Sequence, residues 1–231
     1  MSSFLITRPT TEAEVSARKL EHMGHRAIFA PMLRVEPISF EIPDEKRTII
    51  LTSKNGARHG LANIGNKNRS IFAVAEQTAE EARSLGFTNI TVGPGAARQL
   101  VPILLECGLK QKRAYVHLCG TMVSYNIADV LRDAGLDAVS TVTYQTIPNR
   151  IFSPSVQEEI ENGAIENVLF YSPRTATIFE EAISENNKHA WLSKLNAYCL
   201  SNRVADNLLG PWKTINAAVL PTEKALFSLL S

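Results

Sequence analysis

Five short segments place a hydroxyl side chain, a cation or both at the step from an apolar, β-rich run into a segment of helical period. They are Thr7-Arg8-Pro9, Thr52-Ser53-Lys54, Gln77-Thr78, Tyr171-Ser172-Pro173-Arg174 and Ser201-Asn202-Arg203. A Ser or Thr at such a step caps the first helical turn through its side-chain oxygen. The remaining free amides, with the positive end of the helix dipole, attract carboxylate or phosphate. Pro9 and Pro173 suit early helix positions, where no amide donor is lost. Singly, each hydroxyl reads equally well as an ordinary cap and each cation as solvated surface charge. Together, with Arg8, Lys54, Arg174 and Arg203, they read as a collar for a ligand carrying several negative groups.

Stronger catalytic signatures are missing. Gly93-Pro94-Gly95 follows an apolar run, but the P-loop Lys-Ser/Thr is absent and Arg98 stands where a dinucleotide pattern needs a glycine, so a turn is the reading. No G-x-S-x-G marks a hydrolase nucleophile. The histidines at 22, 25, 59, 117 and 189 show no metal-ligand spacing with the cysteines or with one another. Cys119-Gly120 reads as a buried thiol and turn.

The elements that must position the collar alternate. Strands are predicted over Phe4–Thr7, Ala27–Ala30, Thr48–Leu51, Ile71–Ala75, Asn89–Val92, Ala114–Leu118, Ala138–Thr146, Asn167–Tyr171, Leu195–Leu200 and near Ile215, with helices between most of them. The first helix is expected over Thr11–Met23 with Val15, Leu20 and Met23 inward and Gly24 closing it; the last spans Thr222–Leu230. This alternation is the mark of βαβ units on parallel sheets. Leu33–Pro43 and Val142–Pro154 interrupt it with extended, proline-marked sequence. If both are hinge strands, 38–144 is an α/β domain inserted into a discontinuous one made of 1–35 and 148–231. A single sheet with two long loops fits less well, since long structureless loops are uncommon in compact domains. In such folds ligands bind at the carboxyl ends of strands, and the collar residues fall in both domains.

Composition narrows the classes. Of 231 residues 45% are hydrophobic and 20% charged, as in ordinary globular proteins, and the net charge of +1 favours neither nucleic acid nor an anionic membrane. Three widely spaced cysteines suit a reducing compartment, and the N-terminal apolar run ends at Arg8 without a cleavage site. No apolar stretch approaches the roughly 20 residues that span a bilayer. A cytoplasmic monomer is the expectation.

Across nearly the whole chain the residues resemble the uroporphyrinogen-III synthase family. The similarity runs through Ile6-Thr7-Arg8-Pro9, Gly24 with Pro31, Leu51-Thr52-Ser53-Lys54-Asn55-Gly56, Thr78-Ala79 with Gly86, and Cys119-Gly120 with Leu131 and Gly135. It continues through Val142-Thr143-Tyr144-Gln145-Thr146, Phe170-Tyr171-Ser172-Pro173, Leu200-Ser201 and Pro221-Thr222 with Ala225-Leu226. Each piece alone is weak, and their order and spacing are what is specific. The chain departs from the pattern before Thr78, where Val74-Ala75-Glu76-Gln77 replaces the Val-Gly of many members.

The resemblance implies two doubly wound α/β domains on parallel sheets, joined by a two-stranded linker, with the active site in the cleft between them. It implies hydroxymethylbilane as substrate, no cofactor, and ring closure with loss of water and inversion of the terminal pyrrole on the route to haem, sirohaem and cobalamin. The bilane would arrive by transient contact with the enzyme that forms it. Tyr144 matches the tyrosine that assists the departing hydroxyl. Thr7, Arg8, Thr52, Ser53, Lys54, Thr78, Gly120, Ser172, Arg174, Ser201 and Arg203 match the substrate-holding positions. The competing readings are a non-catalytic two-domain binder of a tetrapyrrole or small anion, planned like a periplasmic receptor, and a synthase-like regulator that binds without turnover.

Overall fold

The computed structural model describes residues 1–230; Ser231, the end of the expected C-terminal segment, lies outside the described residues. The chain divides into two compact units, Met1–Arg34 with Ile147–Ser231, and Val35–Thr146. The first unit opens with β1 (Ser3–Ile6), α1 (Thr10–His22) and β2 (Arg26–Phe29), and the chain leaves it through β3 (Leu33–Pro37). The second holds β4 (Thr48–Leu51), α2 (Lys54–Leu61), β5 (Ile71–Ala73), α3 (Glu76–Ser84), β6 (Ile90–Val92), α4 (Ala97–Gln111), β7 (Tyr115–Gly120) and α5 (Ile127–Asp133), and the chain returns through β8 (Ala138–Pro148). The first unit then resumes with α6 (Pro154–Glu161), β9 (Asn167–Phe170), α7 (Pro173–Glu185), a 3₁₀ turn at His189–Lys194, β10 (Asn196–Cys199), α8 (Asn202–Ala205), β11 (Thr214–Ala217) and α9 (Glu223–Phe227).

The sheets are those of an α/β protein. In the first unit the order is β11-β10-β9-β1-β2, every pair parallel. In the second it is β3-β8-β7-β4-β5-β6, with the pairs from β8 through β6 parallel. Strands covered by helices on both faces are apolar throughout rather than alternating, and β4, β7 and β9 are buried along their whole length. In the second unit α2 packs closely on β7 because Gly56 and Gly60 face it: a Cβ on Gly56 would stand 2.7 Å from the Leu118 carbonyl oxygen. Among the described residues no helix is long and apolar enough to cross a membrane.

One expectation is corrected. The inner face of α1 is made by Ala13, Ser16, Ala17 and Leu20, while Val15 and Met23 are 43% and 44% exposed. Val15 and Leu20 are five residues apart, about 140° around a helix of 3.6 residues per turn, so they cannot share a stripe. The small residues 13, 16 and 17 do share one with Leu20, and size alone hid it. The extended reading of Leu33–Pro43 holds for its first half, which is β3 and sits beside β8. The loop beyond is fastened by Arg69, only 3% exposed, whose guanidinium donates to the carbonyls of Pro43, Asp44 and Arg47 at 3.0, 2.8 and 2.9 Å.

Candidate functional site

At the end of β4 the chain turns through Thr52 and Ser53 into α2. Ser53 is extended (φ −154°, ψ 157°), as an N-cap must be, and its Oγ accepts the Gly56 amide at 2.9 Å. Beside it, Thr52 Oγ1 lies 2.8 Å from Nε2 of His117 on β7. Lys54 is the first residue of α2, partly exposed, with no ion pair among the described residues.

The end of β7 is shaped by a bulge in its neighbour β8. Cys119 pairs with Val142, but Gly120 pairs with Tyr144, so Thr143 is an extra residue in β8. Thr143 turns inward, fully buried, and its hydroxyl donates to the Cys119 carbonyl at 3.3 Å. The bulge re-aims Tyr144, whose ring lies across Gly120 where a side chain would otherwise be: a Cβ there would meet the ring carbons at 2.7 Å. The phenol comes to 3.2 Å from Ser53 Oγ, and the ring sits 5.8 Å from that of His59. Thr52, Ser53, Gly120 and Tyr144 thereby line one cavity of about 250 Å³, with Gly95, Ala97, Met122, Val123 and Tyr125 among its other walls.

Burial shifts several titratable groups on and behind the cavity walls. Burial, and then the Arg58 charge, lowers the pKa of His59, whose ring lies beside that of Tyr144. Burial raises the Cys119 thiol, which suits a wall and not a nucleophile. His117 is pushed down to about 4 by burial. A histidine whose folded pKa is depressed loses stability as pH falls from its ordinary value toward the folded one, because only the unfolded chain takes the proton there. Relative to His117→Gln, the native chain should lose about 3 kcal/mol between about pH 6.5 and pH 4, with no further difference below. Urea unfolding of both chains across that range checks this, and parallel stability curves would refute it. Among the described residues no cluster of three or more His, Cys, Asp or Glu is placed to hold a metal.

In the first unit the strand ends differ. Thr7 was expected to cap, but its hydroxyl is fully buried and donates to the Leu169 carbonyl at 2.7 Å; α1 begins after Pro9 with no side-chain cap. Arg8 stacks over the Tyr171 ring, 4.3 Å from its centroid, and donates to Ser16 and Glu223 at 3.1 and 3.2 Å. Its charge is therefore compensated, and Glu223 is also bound by Lys19. Burial pushes the Tyr171 phenol up to about 12. Ser172 caps α7 as expected, its Oγ accepting the Thr175 amide at 3.2 Å, and Arg174 lies in the first turn, partly exposed. Ser201 precedes the four-residue α8 without a side-chain cap bond, and Arg203 is exposed.

The model of a family described as uroporphyrinogen-III synthase HemD matches residues 14–228. The chain belongs to the uroporphyrinogen-III synthase family. It is 22% identical over 200 residues to the uroporphyrinogen-III synthase of Chlorobaculum parvum, covering 79% of this chain and 80% of that protein. Among solved structures, uroporphyrinogen-III synthetase of Helicobacter pylori superposes with a TM-score of 0.63 at 17% identity, covering 100% of this chain and 98% of the other. A mutant uroporphyrinogen III synthase of Thermus thermophilus gives 0.50 at 16%, covering 100% and 96%. At such identities these two report the fold.

The departure from the uroporphyrinogen-III synthase pattern at Glu76 is accommodated locally. Glu76 is exposed and paired with Arg83 on the same helix, so it does not turn into the cavity. Thr78 is a different correction. Ala75 holds the N-cap position of α3, and Thr78 lies within the helix, 4% exposed, which removes it from the strand end. Sequence reasoning missed His117 and the Met122–Tyr125 wall. The signal for His117 was available: a single polar residue inside Tyr115-Val116-His117-Leu118-Cys119, an otherwise apolar buried strand, must find a partner on a neighbouring strand.

Proposed function

We propose that the chain is a uroporphyrinogen-III synthase in tetrapyrrole biosynthesis, a cyclising hydro-lyase that takes hydroxymethylbilane and needs no cofactor. The observation that carries this reading is the family match over residues 14–228, and the Ser53–Tyr144 pair gives it a chemical centre. The bilane closes unaided to the unrotated isomer, so the protein has two tasks. It must hold one folded conformer, and it must help the hydroxyl leave.

Either hydroxyl of the Ser53–Tyr144 pair can donate; in the proposed scheme Ser53 Oγ, which already accepts the Gly56 amide, donates to the Tyr144 oxygen, and the Tyr144 proton goes to the cavity. Given to the hydroxymethyl group, that proton lets the C–O bond break and water depart, while the pyrrole supplies the electron pair and forms the azafulvene. The substituted carbon of the last ring then attacks to form the spiro intermediate. Fragmentation and reclosure give the type III isomer, and a proton released from the substrate restores the phenol. Tyr144 assists the departure and is not indispensable to it, because the bilane already closes unaided. Thr52, Lys54, Ser172 and Arg174 are the proposed carboxylate anchors. A cytoplasmic location agrees with free Cys107, Cys119 and Cys199.

The test generates hydroxymethylbilane in situ, adds the purified chain without cofactor, oxidises the products and separates type I from type III uroporphyrin. Predominantly type III is the expected result. Type I alone, at the spontaneous rate and with folded protein, would overturn the reading and favour a binding protein without turnover.

A further inference from the structure

Two adjacent hydroxyls at the end of β4 are each met from behind by a nitrogen. Ser53 Oγ accepts the Gly56 amide at 2.9 Å, and Thr52 Oγ1 stands 2.8 Å from His117 Nε2. The first bond has only one direction. The second has two, and the other ring nitrogen decides between them. His117 is 1% exposed, and its Nδ1 meets no hydrogen-bond partner among the described residues.

A neutral imidazole carries one N–H and one lone pair. With the proton on Nδ1, the ring would bury an unpaired donor while Nε2 accepted from Thr52. With the proton on Nε2, the donor is used on Thr52 and only a lone pair is left bare. Buried orphan N–H groups are the rarer arrangement, and an unpaired buried donor loses its full hydration. Burial also keeps this ring uncharged near neutral pH, so one tautomer persists there.

We infer that His117 is a positioning residue whose Nε2–H is held on Thr52 Oγ1, so that the Thr52 hydroxyl proton is left to be donated into the cavity, to a carboxylate of the substrate. The identity of that carboxylate rests on the synthase reading; the tautomer does not. The physical gain is polarity. A free hydroxyl accepts as readily as it donates, whereas one already receiving an N–H is set to donate, which is what an anion requires. Thr52 lines the cavity and His117 does not, so the histidine acts only through the threonine.

Nitrogen-15 spectra of the histidine rings of the full chain, without substrate, read the tautomer directly. His117 should show a protonated Nε2 and a bare Nδ1, unchanged from about pH 8 to pH 6, well above its depressed pKa. A protonated Nδ1 would overturn the inference. In kinetics with bilane generated in situ, His117→Leu and Thr52→Val should each raise KM about tenfold with kcat little changed, the mark of lost uniform binding. His117→Gln, whose amide offers an N–H at the same place, should stay within about twofold of the native KM. Both variants retaining native KM would also overturn it. If His117→Leu fails to fold, the spectrum and Thr52→Val still decide. A native chain that yields only type I product sinks the synthase reading and leaves the tautomer result standing.

Discussion

Tyr144→Phe should lower kcat for type III formation about a hundredfold, the low end of what a positioned general acid contributes. The low end applies because the bilane already closes unaided, so proton donation speeds a step that water also permits. The substitution removes one oxygen and leaves the ring against Gly120 and His59, so the fold and the cavity keep their shape. KM should therefore change little, and stability should fall by about 1 kcal/mol, as for a half-buried hydroxyl that gives up one hydrogen bond. Ser53→Ala removes the hydroxyl bonded to the phenol together with a helix cap. It should cost about 1 kcal/mol of stability and reduce kcat less than Tyr144→Phe. Combining the two should add little to Tyr144→Phe alone, since both act on one proton. Initial rates with separation of the type I and type III products check all three chains. A Tyr144→Phe rate within twofold of native would remove Tyr144 from the chemistry.

What the sequence disclosed and what it withheld follow from range. Parallel α/β architecture was legible because apolar runs without alternation and helical periods are local properties. Ser53 and Ser172 were legible as caps for the same reason, since a cap bonds three residues ahead, to Gly56 and to Thr175. Thr7 was not, because its hydroxyl goes to Leu169, 162 residues away, and nothing near Thr7 announces that strand. Arg8 looked like a free cation until Glu223, 215 residues on, was placed beside it. Thr78 misled for a subtler reason: the helix starts at Glu76 from an alanine cap, so the hydroxyl that looked terminal is one turn inside and buried. Tyr144 was recognisable by its V-x-Y-x-T strand, yet its aim depends on an extra residue in that strand, and a bulge leaves no mark in a pattern of alternating side chains.

Gly120 carries that dependence to its sharpest point. The resemblance gives it as a substrate contact, while the structure gives it a different task, the space in which Tyr144 lies. Gly120→Ala puts a methyl group 2.7 Å from two ring carbons and 3.0 Å from the phenolic oxygen, closer than any of them tolerates. The backbone of β7 is held in the sheet, so the ring must move, and its 3.2 Å contact with Ser53 is disturbed. Stability should fall by about 2 kcal/mol, as for overpacking a fitted core. The type III rate should fall at least as far as in Tyr144→Phe, roughly a hundredfold or more, because the phenol is displaced and the cavity deformed together. A contact of backbone origin alone would predict something else: loss of rate without coupling to position 144. A double-mutant cycle separates the two. In a Tyr144→Ala background the methyl group at position 120 has nothing to strike, so the stability cost should vanish and the coupling should come to about 2 kcal/mol. Urea unfolding of the four chains measures it. Additive costs would mean that Gly120 serves the substrate and not the tyrosine, and that the bulge at Thr143 aims Tyr144 without help from the glycine it covers.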